Sequence, residues 1–172
     1  MKRVIAVILV LLLLGGLCAC AREKEFVYPI AYHYLRAPQP NGEIAHGSID
    51  SLIGAEMREG DGYQDNLTLL LDVYLHGPLD KDFRSPFPVG TALRSLDVQD
   101  QTAAVMISSH LAALTGVDLS VACGCLALTV MDLTGATSVI ITSENSMLDG
   151  KESVTMDRNN LVLIDNTNPE SN

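Results

Sequence analysis

The chain has 172 residues and carries 11 Lys and Arg against 21 Asp and Glu, a formal charge of −10 at pH 7. Such acidity repels nucleic acid and polyanionic cell-wall polymers, which excludes them as partners of the whole surface. The length suits one domain around one core, and 48% of the residues are apolar.

Met1-Lys2-Arg3 is a short positive stretch, and Val4 to Leu14 follows it without one charged or polar side chain. This is the layout of a signal peptide, and the run is shorter than the roughly 20 apolar residues that a membrane span needs. It breaks at Gly15-Gly16 and closes on Leu17-Cys18-Ala19-Cys20, after which Arg22, Glu23, Lys24 and Glu25 arrive together. Leu17 to Cys20 resembles the lipobox of bacterial lipoproteins: an aliphatic residue, two small residues and the cysteine. Cys18 does not fit the last place, because Leu17 would then stand where a small residue is required.

The resemblance implies that residues 1–19 are a signal peptide cut before Cys20, and that the Cys20 thiol carries a diacylglycerol. The protein is then expected on the extracytoplasmic face of the cell membrane, lipid-anchored. Each buried methylene of an acyl chain contributes roughly 0.8 kcal/mol, so two or three chains hold a protein nearly permanently. Cleavage leaves 153 residues at a formal charge of −12, since the lost segment holds Lys2 and Arg3 and no acid. Cys18 leaves with the signal and Cys20 is alkylated. Cys123 and Cys125 remain, too few for a disulfide framework.

Residues 20–25 read as a short charged tether, 26–165 as the domain and 166–172 as a disordered polar tail. The aromatic and β-branched run from Phe26 to Leu35 predicts an opening strand, which Pro29 confines to an edge or a strand start. Ala37-Pro38-Gln39-Pro40-Asn41-Gly42 is rich in breakers, and residues 43–58 read as a second extended stretch. Leu67, Leu70, Leu71, Tyr74 and Leu75 then form one apolar stripe of helical period, predicting a helix over 63–76. Asp61 with Gln64 suits its start, and Gly77-Pro78 stops it.

Two short β-like runs, 92–98 and 102–108, flank Gln99-Asp100-Gln101 as a hairpin. A second helix over 118–133 starts at Asp118 or Ser120 and ends at Gly135; it is apolar nearly all round and must be buried. Val139-Ile140-Ile141 and Leu161-Val162-Leu163-Ile164 complete the set as strands. This order predicts a small single α+β domain, with two helices packed on a mostly antiparallel sheet.

The middle of the chain resembles the GerMN domain of sporulation and spore-germination lipoproteins. The likeness lies in Leu70-Leu71, Leu75-His76-Gly77-Pro78, Ser85, Phe87-Pro88-Val89-Gly90-Thr91, Leu96-Asp97-Val98 and Asp100, and later in Leu128-Thr129 and Ser138-Val139-Ile140-Ile141-Thr142. Asp100-Gln101 and Met106-Ile107-Ser108 depart from the family's Asp-Gly turn and Asp-Leu-Ser strand end, and Asp149-Gly150 comes late. The resemblance implies a ring-building-like fold and a non-enzymatic module without cofactor. Its partners would be envelope proteins or further copies of itself, in a complex assembled or regulated during sporulation or germination.

Candidate chemistry is sparse. Residues two apart on a helix point about 200° from each other, so Cys123 and Cys125 cannot grip one ion or form an ordinary bridge. They read, with Gly124, as small residues that let the helix approach the sheet; the alternative is an unusual redox pair. His33, His46, His76 and His110 stand singly, without metal-ligand spacing. Tyr28, Tyr32 and Tyr34 share one strand face with His33 opposite, either half covered by the core or open as a platform for a partner or glycan. That platform is the basis of the alternative reading, a small-molecule or glycan-binding envelope lipoprotein. Gly-x-Ser-x-Gly, Ser-x-x-Lys and a glycine-rich phosphate loop are all missing. Asp80, Asp82, Asp97, Asp100 and Asp157 lie where acids serve turns and solubility. No catalytic residue, cofactor or metal site is expected, and Cys20 is the one residue assigned a site.

Overall fold

A computed structural model describes residues 26–38 and 52–161. The signal peptide, Cys20, the tether, His46, the first part of the 43–58 stretch and the tail lie outside the described residues.

β1 (Pro29–Arg36) begins on its proline, where a missing N–H costs no ladder bond. It pairs antiparallel with β2 (Ile53–Glu59), from Pro29 opposite Glu59 to Leu35 opposite Ile53. On its other side β1 meets β3 (Phe83–Arg84) only through Leu35 and Arg36. The remaining edge of β1 is closed by side chains. His33 donates its backbone N–H to Thr129 Oγ1 at 2.9 Å, and its carbonyl accepts from the Tyr74 hydroxyl at 2.8 Å. An exposed strand edge would otherwise invite pairing with another chain.

α1 (Leu67–Leu75) is shorter at its start than predicted, because Asn66 and not Asp61 caps it. The Asn66 side chain accepts the Leu69 N–H at 3.0 Å, whereas Asp61 to Asp65 form a turn that reaches back to Gly60. The predicted stripe holds: Leu70, Leu71, Tyr74 and Leu75 are its buried residues.

The second sheet runs β4-β5-β6-β7. β4 (Leu93–Gln99) and β5 (Thr102–Ile107) form the predicted hairpin, turning through Asp100 at φ 53°. A 3-10 turn (Ser109–Ala113) and α2 (Gly116–Thr134) carry the chain to β6 (Ser138–Ser143), which lies parallel to β5. A helical crossover is what a parallel pair requires. β7 (Ser153–Asp157) closes the sheet antiparallel to β6, by a strand not predicted from the sequence. The strand predicted at 161–164 is not seen at Leu161, and 162–164 fall outside the described residues.

The first turn of α2 is not capped by Asp118 or Ser120. Its Gly116 N–H is taken by Asp149 Oδ2 from a distant turn at 3.2 Å, and Ser120 is buried. Gly135 ends the helix at φ 74°, a conformation that favours glycine. α2 is long and apolar enough to cross a membrane by composition alone, but 67% of its most apolar window is buried in the domain. It is the core helix. One cluster joins Tyr32, Tyr34, Leu70 and Tyr74 to Leu126, Val130, Val105, Ile141 and Met156. The molecule is the expected single α+β domain, its strands divided between a three-stranded and a four-stranded sheet.

Candidate functional site

The best-formed polar cluster in the described residues is buried. Strand alternation turns Glu56 and Arg58 to the same face as Tyr32 and Tyr34, and both charged side chains are less than a tenth exposed. Arg58 Nη2 donates to Glu56 Oε2 at 2.7 Å and to the Gly77 carbonyl at 2.7 Å. Its guanidinium carbon lies 5.0 Å from the Tyr32 ring centre and 5.7 Å from that of Tyr34. Glu56 Oε1 in turn accepts the N–H groups of Leu79 at 3.1 Å and Asp80 at 3.0 Å.

The cluster therefore straps β2 to the loop that follows α1. Gly77 sits at φ 102°, a backbone state costly for a side-chain-bearing residue, and its carbonyl is the one Arg58 takes. Burial works against the guanidinium charge, but the hydrogen bond and field of Glu56 more than offset it, so Arg58 titrates above its ordinary value. Its charge is balanced by Glu56 within the cluster, and its Nε is buried without a partner. Burial also pushes the Tyr32 hydroxyl up to about 12 and raises those of Tyr34 and Tyr74 further. Their hydroxyls bond to the backbone carbonyls of Leu70, Tyr74 and His33 respectively.

The predicted aromatic face thus divides. Tyr32 and Tyr34 are fully buried and cannot form a platform for a glycan or partner; Tyr28 alone of the three is exposed, at 45%. The physical reason is α1, which covers that face through Leu70 and Tyr74.

A second cluster lies across α2 and β1. Asp132 Oδ2 pairs with His33 Nε2 at 2.7 Å, and its other oxygen takes Arg158 from the turn after β7. Burial raises the Asp132 carboxyl, but the bonds from His33 and Arg158 outweigh that and hold it below the usual carboxylate value. His76 caps its own helix end, Nδ1 lying 2.7 Å from the Asp72 carbonyl, and His110 approaches Ser108 at 3.3 Å.

Cys123 and Cys125 are free, fully buried and turned to different neighbours, Cys123 in the main core and Cys125 beside Ile53 and Val121. Burial pushes the Cys123 thiol up to about 12 and that of Cys125 higher, so neither is a thiolate at neutral pH.

Sequence reasoning missed Glu56 and Arg58. The signal was available: two charges at i and i+2 share the strand face that pairs across to Tyr32 and Ile30.

Fold and clusters together define a small α+β domain whose strongest polar contacts hold its own loops in place. The chain belongs to the Germane family of sporulation and spore germination, whose profile matches residues 46–149. No functionally curated protein matches it. Among solved structures it is similar to a chain from Clostridium perfringens, provisionally described as a lipoprotein and solved at 2.5 Å. The two are 17% identical, with 76% of this chain and 87% of the other covered and a TM-score of 0.45.

Proposed function

We propose that the protein is a non-catalytic contact module, held to the extracytoplasmic face of the cell membrane by lipid on Cys20, that helps assemble or regulate an envelope complex during sporulation or germination. The observation that carries this reading is membership of the Germane family over residues 46–149. Two features support it. The outer side chains of the four-stranded sheet, among them Ala104, Met106, Ile140, Thr142 and Thr155, are half-buried or exposed, and no described element covers them. Uncovered sheet faces that carry apolar side chains such as Met106 and Ile140 suit packing against another protein. The carboxylates of Glu56 and Asp132 and the Nη2 of Arg58, for their part, are occupied with the domain's own backbone and side chains.

Gel filtration of the chain freed of its signal and lipid, alone and mixed with envelope proteins of the sporulating cell, tests the proposal. A shift to a larger species, abolished by Met106→Glu with Ile140→Glu, is the expected outcome. Monomers under every condition count against assembly.

A further inference from the structure

Val27, Tyr28 and Met57 are exposed at one corner of the three-stranded sheet, at 74%, 45% and 44% of their surface. With Pro29, Ala31 and Leu133 they rim a groove of about 430 Å³. This corner lies where the chain enters the domain. The pair's other end is at Leu35 and Ile53. We infer that the corner docks on the lipid bilayer, with Val27, Tyr28 and Met57 entering the boundary between headgroups and acyl chains.

Six residue steps separate Cys20 from Phe26, and at most about 3.6 Å per residue they reach no more than about 22 Å. An anchor at Cys20 therefore keeps this corner, where the chain enters the domain, in reach of the bilayer. That anchor belongs to the function proposed above, and the inference rests on it. Tethering replaces a weak encounter by a high local concentration, so a small apolar patch suffices.

The residue chemistry fits the same boundary. Val27 and Met57 are apolar, and Tyr28 has an apolar ring with a hydroxyl that stays in water. The backbone N–H groups of Val27 and Tyr28 are already bonded to Glu59, at 2.8 and 2.9 Å, so they need no water when the corner is covered. Among the described residues the flanking charges are acidic: Glu59 beside the strand start, Asp61 next to it, and Asp132 in the groove, compensated by His33 and Arg158. Docking is thus apolar, and anionic lipid does not strengthen it.

The chain has no tryptophan, so a single introduced one is a clean reporter. Residues 20–172 carrying Met57→Trp are coupled through Cys20 to maleimide-bearing phosphatidylcholine vesicles; Cys123 and Cys125 are fully buried and do not compete. The control is Val117→Trp. Val117 is 75% exposed on the first turn of α2, and at 1.5 Å per residue it stands about 24 Å along the helix from Leu133. The expected result is blue-shifted Met57→Trp emission that loses about half its intensity to brominated phosphatidylcholine, as insertion by roughly 5–10 Å requires. Val117→Trp shows neither change, and adding Val27→Ser and Tyr28→Ser to the Met57→Trp chain abolishes both.

Equal behaviour of the two reporters, quenched or not, overturns the inference. So does quenching that appears only with phosphatidylglycerol in the vesicles. Because the coupling is chemical, these outcomes are independent of whether the cell lipidates Cys20; metabolic labelling of Cys20 with a fatty acid tests that separately.

Discussion

Glu56 and Arg58 occupy positions that a strand packed against a helix ordinarily gives to apolar side chains, and each is tolerable only because of the other. Removing one partner of such a pair leaves a charge in a place from which water has been displaced. Arg58→Ala is therefore expected to cost about 3–5 kcal/mol, read as a lower urea midpoint. The double change Glu56→Gln with Arg58→Met should cost less than Arg58→Ala, since no buried charge is stranded and Leu79 and Asp80 keep an acceptor. Asp132 behaves differently because its carboxylate is partly exposed to solvent. Its folded carboxyl titrates below its unfolded value. The stability it contributes is complete above the unfolded value near pH 4 and is lost as pH falls through the lower folded one. Asp132→Asn should lower stability at neutral pH and flatten the acid limb of a urea-derived stability profile; an unchanged slope below about pH 4 would refute the role of His33 and Arg158.

Among the elements, β1 depends on side chains to finish what β3 leaves undone. Thr129→Val keeps the shape of the residue and removes the acceptor of the His33 N–H. A loss of about 1–3 kcal/mol is expected, with faster hydrogen exchange at the His33 amide than at its neighbours in β1. Faster exchange spread evenly over β1 would point to packing instead. This edge was invisible in the sequence, because its partners lie 96 and 41 residues away. Elements with strong local patterns were legible. The stripe of Leu70, Leu71, Tyr74 and Leu75 marked α1, and the apolar run ending at Gly135 marked α2 to within two residues at either end. Strand β3 was not legible, since two residues carry no period and pair only where β1 offers an edge. Strand β7 was legible and passed over: Val154 and Met156 alternate with polar residues, but the more apolar run at 161–164 drew the prediction. The Arg58 cluster was missed because charge in a strand ordinarily marks the solvent face.

At the scale of the whole molecule, local pattern sufficed for the α+β class and not for the division into two sheets. Which strands pair is decided by contacts remote in sequence, and by α2 bringing β6 alongside β5. In the function proposed above, what the domain does also depends on Cys20. Cys20 precedes β1 by nine positions in the sequence. Anchoring and folding should then separate cleanly. Cys20→Ser is expected to move the protein out of the membrane fraction, or to leave it uncleaved with its signal in place, while urea unfolding of the domain stays within about 0.5 kcal/mol of the native chain. The uncleaved form is distinguished by its mass and by retention of Lys2 and Arg3. A cleaved Cys20→Ser protein that still sediments with membranes would show that the lipid is dispensable. The apolar corner at Val27, Tyr28 and Met57 is too small for that alone, because each residue buries only a partial side chain and a surface contact without a tether pays the full entropy of association.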